Sequence, residues 1–336
     1  MESSGSGRRG RRARRPLLCA VLAVVATVGV AAGGTACVTA RAHSGAGTVS
    51  SAPSPAASGS AAAGEEASVE SAAQPVTVDR EALLARAMGS VTVPSGARVS
   101  AAVLETGSGR SAAYGTDTFD TASIVKVDIL AALLLQAQDA GREPTAAQRA
   151  YATRMIENSD NASATELWHA IGRAAGLDAA NERFGLTHTS GGDGELWGLT
   201  RTTAADQLLL LRQVFGEDSE LDAASRAYVR KLMGAVQAGQ RWGVSAAGSS
   251  WALKNGWLAR STTGLWDVNS IGRVTVDGAE YLVAVLSRGT ATQAEGISLV
   301  EAAAKAAVSA FTRAGSTASP GAGSAGPGTR AGGSGS

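Results

Sequence analysis

The chain has 336 residues, with 30 Lys+Arg against 29 Asp+Glu and a formal net charge of +1. That balance excludes the basic excess that a nucleic-acid partner usually requires. Both cysteines, Cys19 and Cys37, lie near the N-terminus, so the rest of the chain has no disulfide framework and no Cys-ligated metal site.

Residues 1–37 begin with a basic cluster, Arg8 to Arg15, followed by a charge-free apolar run from Pro16 to Ala32. This order reads as an export signal; the alternative is a retained anchor, for which the run is short of the ~20 apolar residues of a span. Small residues before Cys37 resemble a lipoprotein cleavage site, with Gly34 where an aliphatic residue is usual. The expected location is extracellular or in the cell envelope, with membrane contact only through this leader or a lipid on Cys37. Residues 38–75 are nearly all Ala, Ser, Gly, Thr and Pro. Such a segment cannot bury enough apolar surface to offset the entropy of ordering, and reads as a tether. Residues 315–336 form a similar tail. One folded domain is expected over 76–314.

In that domain, Arg98–Thr106 and Ser111–Tyr114 read as a hairpin turned by Gly-Ser-Gly-Arg. Ser123–Ala140 is apolar over most of its circumference and predicts a buried helix. Helices follow over Thr145–Glu157, Ala162–Ala174, Thr203–Phe215 and Ala223–Val236, with Thr203 and Asp206 resembling a capping box. The period then changes to two over Trp251–Trp257, Trp266–Val276 and Glu280–Ser287, and Glu295–Thr312 closes as a helix. The order predicts an α+β fold: an antiparallel sheet, its first and last strands joined in space, flanked by helices and carrying an inserted all-helical lobe.

Three short stretches carry candidate chemistry. Only four of the basic residues are lysines, Lys126, Lys231, Lys254 and Lys305. Arg stays charged at any working pH while a buried Lys can lose its proton, so each rare Lys invites a chemical reason. Ser123 and Lys126 stand three apart at a helix start, on one face, where the helix dipole favours a developing oxyanion and a neutral Lys126 could deprotonate Ser123. Ser159-Asp160-Asn161 lies between two helices and reads equally as a helix cap. Lys254-Asn255-Gly256 lies on a strand where Gly256 permits close backbone approach.

Taken in order, Ser123-x-x-Lys126, Ser159-Asp160-Asn161 and Lys254-Asn255-Gly256 resemble the three motifs of class A β-lactamases and penicillin-binding proteins. The resemblance covers about Val76 to Ala314 and is to secreted actinomycete-type serine hydrolases. It implies a β-lactamase/transpeptidase-like fold, no cofactor, no metal, a monomer, and a small-molecule β-lactam or a peptidoglycan peptide as substrate. Ser123 would be the acylated nucleophile and Lys126 its base or relay. Ser159 would pass a proton to the leaving nitrogen. Asn161 would bind the substrate amide. Lys254 would supply charge for a substrate carboxylate and hold Ser159. The backbone N–H groups of Ser123 and Trp257 would form the oxyanion hole.

Two departures stand out. Asn255 occupies a place usually held by Thr or Ser. No acidic residue between Asn161 and Thr202 has Asn four positions later, where the family's water-activating Glu is recognised. Glu195, in a Gly-rich loop, is the substitute candidate; its plainer reading is a solvated loop carboxylate. Three functions follow: a β-lactamase-like hydrolase, a D,D-peptidase-like enzyme with slow lactam release, or a non-catalytic cell-envelope binding protein of the same fold. Trp242, Trp251, Trp257 and Trp266 read either as core or as a cleft lining.

Overall fold

The computed structural model describes residues 78–316, with side chains to 312. The leader, Cys37, the tether and nearly all of the tail lie outside the described residues. The first helix is α1 (Arg80–Met88), capped by the Asp79 carboxylate on the Ala82 N–H. Strands β1 (Arg98–Glu105) and β2 (Arg110–Tyr114) form the expected hairpin. A two-residue strand β3 (Phe119–Asp120) leads through a 3₁₀ turn into α2 (Val125–Asp139). Helices α3 (Ala146–Glu157), α4 (Asn161–Ala170) and α5 (Arg173–Phe184) follow, then β4 (Arg201–Thr202), α6 (Ala204–Phe215) and α7 (Ala223–Gly234). Strands β5 (Ser250–Ala259), β6 (Trp266–Val276) and β7 (Ala279–Thr290) precede α8 (Gln293–Ser316).

The main sheet has the order β2-β1-β7-β6-β5, antiparallel throughout. The first and last strands of the domain therefore pair at its centre, in the register Ala101↔Val285. Period-two alternation divides the sheet between two cores. Ala102, Leu104, Ala252, Leu282, Ala284 and Leu286 face the helical lobe, and Val103, Leu253, Val283 and Val285 face α1 and α8. On the lobe side, α2 is buried almost all round, Leu130 and Leu133 among its sealed residues. The four tryptophans of the strand region pack, partly buried, against the α8-side core.

Two expectations need correction. The helix expected over Ala162–Ala174 stops at Ala170, because Gly172 turns left-handed at φ 92° and starts a separate helix, α5, which the periodicity hid. The Thr203–Asp206 pair is half a capping box. Thr203 Oγ1 accepts the Asp206 N–H, but the Asp206 carboxylate turns to the His188 N–H and the Thr189 hydroxyl.

Candidate active site

The segment before α2 is clamped from the sheet. Asn269 Nδ2, fully buried on β6, donates to the carbonyls of Asp120 (2.9 Å) and Thr121 (3.0 Å), while its Oδ1 accepts the Ser287 N–H at 3.0 Å. Ala122 is held at φ 47°, in the left-handed region that a non-glycine residue enters only under constraint. Ser123 follows on the 3₁₀ turn, half-buried, and no described residue hydrogen-bonds its hydroxyl. Gly256 of β5 backs directly onto this turn: a Cβ there would lie 2.6 Å from the Ser123 nitrogen and 2.8 Å from that of Ile124. Only glycine fits such an approach.

Strand β5 is the edge of the sheet. The carbonyl of Asn255 accepts from Lys254 Nζ at 2.8 Å, so it points away from the neighbouring strand. In an antiparallel strand the N–H and C=O of one residue point the same way and alternate along the chain. The Trp257 N–H therefore shares that outer edge, beside the α2 N-terminus that bears Ser123.

Two lysines converge on one hydroxyl. Lys126 Nζ donates to Ser159 Oγ (3.1 Å), Ser159 O (2.6 Å) and Asn161 Oδ1 (2.8 Å); Lys254 Nζ donates to the same Ser159 Oγ at 3.0 Å. Ser159 sits at φ 56°, a second left-handed non-glycine, where α3 gives way to α4. Asp160 caps α4 by accepting the Ser163 N–H at 2.8 Å. Both lysines are sealed from solvent. Burial pushes the Lys126 ammonium down to about 7, against the opposing attraction of Asp160. Burial also pushes Lys254 well below the ordinary lysine value, and the Lys126 charge adds to that. A hydroxyl oxygen has two lone pairs and one proton, so Ser159 can accept from one amine while donating to the other once that one is neutral. Such a cluster is chemically able to pass a proton.

Three sequence expectations change here. Asn255 does not face the cleft: it shares the α8 side of β5 with Leu253, fully buried, and its Nδ2 donates to the carbonyls of Gln240 (2.8 Å) and Trp242 (2.9 Å). It is a structural tie between strand and loop, with no donor left for a substrate carboxylate. Lys254 is buried on Ser159 and the Asn255 carbonyl, so it holds Ser159 but offers no exposed charge to a carboxylate. Glu195 is exposed and paired with His169 (2.6 Å) and Arg173 (2.9 Å). Its hydrogen bond with His169, more than any other cause, holds its carboxyl below the usual range, which makes it a poor base. Asn161 keeps its place beside Lys126, and Trp257 tilts against Trp242 at 6.0 Å.

Two residues escaped the sequence reading. Asn269 left a faint signal, a polar residue inside an otherwise apolar strand. Trp197 left none. Its ring centre lies 4.9 Å from Lys126 Nζ and its Nε1–H donates to Thr165 Oγ1 at 3.2 Å. It lines a cleft of about 580 Å³ with Thr165, Glu195, Leu196, Leu258 and Arg260. Among the described residues no group of three or more His, Cys, Asp or Glu could hold a metal ion.

The model of the beta-lactamase enzyme family (Beta-lactamase2) matches residues 143–311, half of the chain. The chain belongs to the beta-lactamase enzyme family. The matched stretch holds the second and third motifs and begins after Ser123 and Lys126. No curated protein matches the chain. The solved structure of PBP-A is 20% identical at TM-score 0.59, covering 69% of this chain and 96% of that one. A PBP-A mutant solved as an acyl-enzyme complex with penicillin G is 21% identical at TM-score 0.59, covering 69% and 97%. A class A beta-lactamase from Bacteroides cellulosilyticus DSM 14838 is 15% identical at TM-score 0.61, covering 70% and 100%. At these identities the likeness is one of fold, and it is the β-lactamase/transpeptidase-like fold that the resemblance of the three motifs implies.

Proposed function

We propose that this family member is an exported serine hydrolase that is acylated at Ser123 by β-lactams or related amides and releases the acyl group slowly. The observation that carries this is the pair of buried, low-pKa lysines sharing the Ser159 hydroxyl beside a turn whose serine hydroxyl is unengaged. Attack by Ser123 Oγ forms an ester and breaks the amide C–N bond. Neutral Lys126 takes the serine proton, and Ser159, held by Lys254, delivers a proton to the departing nitrogen. The Ser123 and Trp257 N–H groups would meet the developing oxyanion; losing one such donor typically costs 10²–10³ in rate. Slow release is the form the penicillin-binding reading takes, and it is favoured because Glu195, the candidate water-activating carboxylate, is turned to His169 and Arg173. The Arg-rich leader supports action outside the cytoplasmic membrane.

The test is intact mass of the protein over time with excess benzylpenicillin. An adduct in the wild type and none in Ser123→Ala is expected. Labelling of the Ala variant at the wild-type rate, or no adduct at all, would overturn the assignment.

A further inference from the structure

Hydrolysis of an ester at Ser123 joins a water oxygen to the acyl carbon, breaks the Ser123 Oγ–C bond and returns a proton to Oγ. A base must take the water's proton, and water must reach both carbon and base. Lys126 is the base nearest Ser123 in the chain, but its surroundings leave little room for a water. Its Nζ is committed to Ser159 O, Ser159 Oγ and Asn161 Oδ1, and the Trp197 ring lies over it at 4.9 Å. The indole is not loosely placed. Its Nε1–H is fixed by Thr165, one turn beyond Asn161 on the same face of α4. The chain around it is braced by Leu199 N–H to Leu196 O (2.8 Å) and by Thr121 N–H to Thr200 O (2.9 Å), which ties it to the Ser123 turn itself. The same segment carries Glu195, two residues earlier, facing outward onto His169 and Arg173. The loop thus presents an indole inward and its carboxylate outward.

We propose that Trp197 sets the lifetime of the acyl-enzyme by covering the side of Lys126 from which a hydrolytic water would approach. Its role rests on Ser123 being acylated as proposed above. An apolar ring has no lone pair to hold a water and excludes the space a base-activated water needs. A protonated Lys126 is in turn held under the ring by cation–π attraction. Acylation needs no water at that place, so the cover slows release and not attack.

The experiment uses the full chain with benzylpenicillin, free drug removed, and follows the adduct by intact mass from pH 5 to 9. The wild-type adduct persists. Trp197→Ala shortens its lifetime about tenfold or more, and the release rate of that variant gains a limb that rises with pH above 7, because opening Lys126 to water relieves the burial that lowers its pKa. Trp197→Phe keeps a ring but loses the Thr165 anchor, so its lifetime falls between those of the wild type and the Ala variant. Thr165→Val frees Nε1 without opening a cavity at the ring; it shortens the lifetime in the same direction and decides the matter if the Ala variant fails to fold. A persistent wild-type adduct with unchanged lifetimes in the Ala and Thr165 variants overturns the cover while leaving acylation intact. A wild-type adduct that clears at once also overturns it. No wild-type adduct overturns the acylation on which it stands.

Discussion

Gly256→Ala is the sharpest test of how the sheet holds the Ser123 turn. The added Cβ would sit 2.6 Å from the Ser123 nitrogen, 2.8 Å from that of Ile124 and 2.8 Å from the Thr121 oxygen. Ordinary contact begins at 3.4 Å, a shortfall of about 0.8 Å, and all three atoms are backbone. None can swing aside as a side-chain tip would. The Ser123 turn is also pinned from the other direction by Asn269. Strand and turn must therefore separate, which widens the gap between the Ser123 and Trp257 N–H groups. Overpacking of this kind costs about 1–3 kcal/mol, and in a domain of this size each kcal/mol lowers Tm by about 2–4 °C. A misplacement near 1 Å at reacting groups costs about 10²-fold in rate. The expectation is a folded protein with Tm lower by several degrees and acylation slower by about 10². Stopped-flow labelling with a fluorescent penicillin, alongside thermal melts, reads both. Acylation within tenfold of wild type, in a variant whose Tm has fallen, would refute the close approach as the source of oxyanion geometry.

Other outcomes follow from the same geometry. Lys126→Arg should lose as much acylation as Lys126→Ala, about 10²–10⁴-fold, because Arg cannot act as a base; wild-type acylation should rise with pH through about 7, where folded Lys126 becomes neutral, and a flat profile would count against it. Asn255→Ala should orphan the buried carbonyls of Gln240 and Trp242 and cost about 2 kcal/mol in urea unfolding, with less effect on acylation than on stability. Asp128, buried on α2, is pushed up to about 8 chiefly by burial and then by Asp178 and Asp206. Its folded pKa lies above its unfolded one, so its contribution is fully present below about 4 and is lost as pH rises through about 8. Asp128→Asn should therefore flatten the fall in Tm between about pH 4 and 8; an unchanged slope would show that another group titrates there.

Much of the fold was legible because α2 is apolar on nearly every side and the three long strands alternate cleanly. The short elements were not. β3 and β4 are two residues each, too short for any period, and α5 was not read beyond Ala174, the α4–α5 boundary being the sign of φ at Gly172. Within the site, residue scarcity singled out Lys126 and Lys254 before any contact was known. What could not be read was orientation across space. Asn255 follows Lys254 by one residue, and strand alternation alone sends its side chain to the opposite core. Trp197 lies 71 positions after Lys126, and no local spacing relates an indole on a loop to an ammonium on a helix.

The central place of β1 beside β7 has a kinetic corollary. Ala101 and Val285 are 184 positions apart, so the middle of the sheet cannot be zipped until almost the whole domain has left the ribosome. Pairings this distant are slow to find, since loop closure comes before any contact rewards it. A nascent chain ending before β7 would carry the β1–β2 hairpin with one flank unpaired, and its sheet would lack a spine. The Ser123 turn, clamped by β6 and backed by β5, would acquire its geometry only in the last stage of folding.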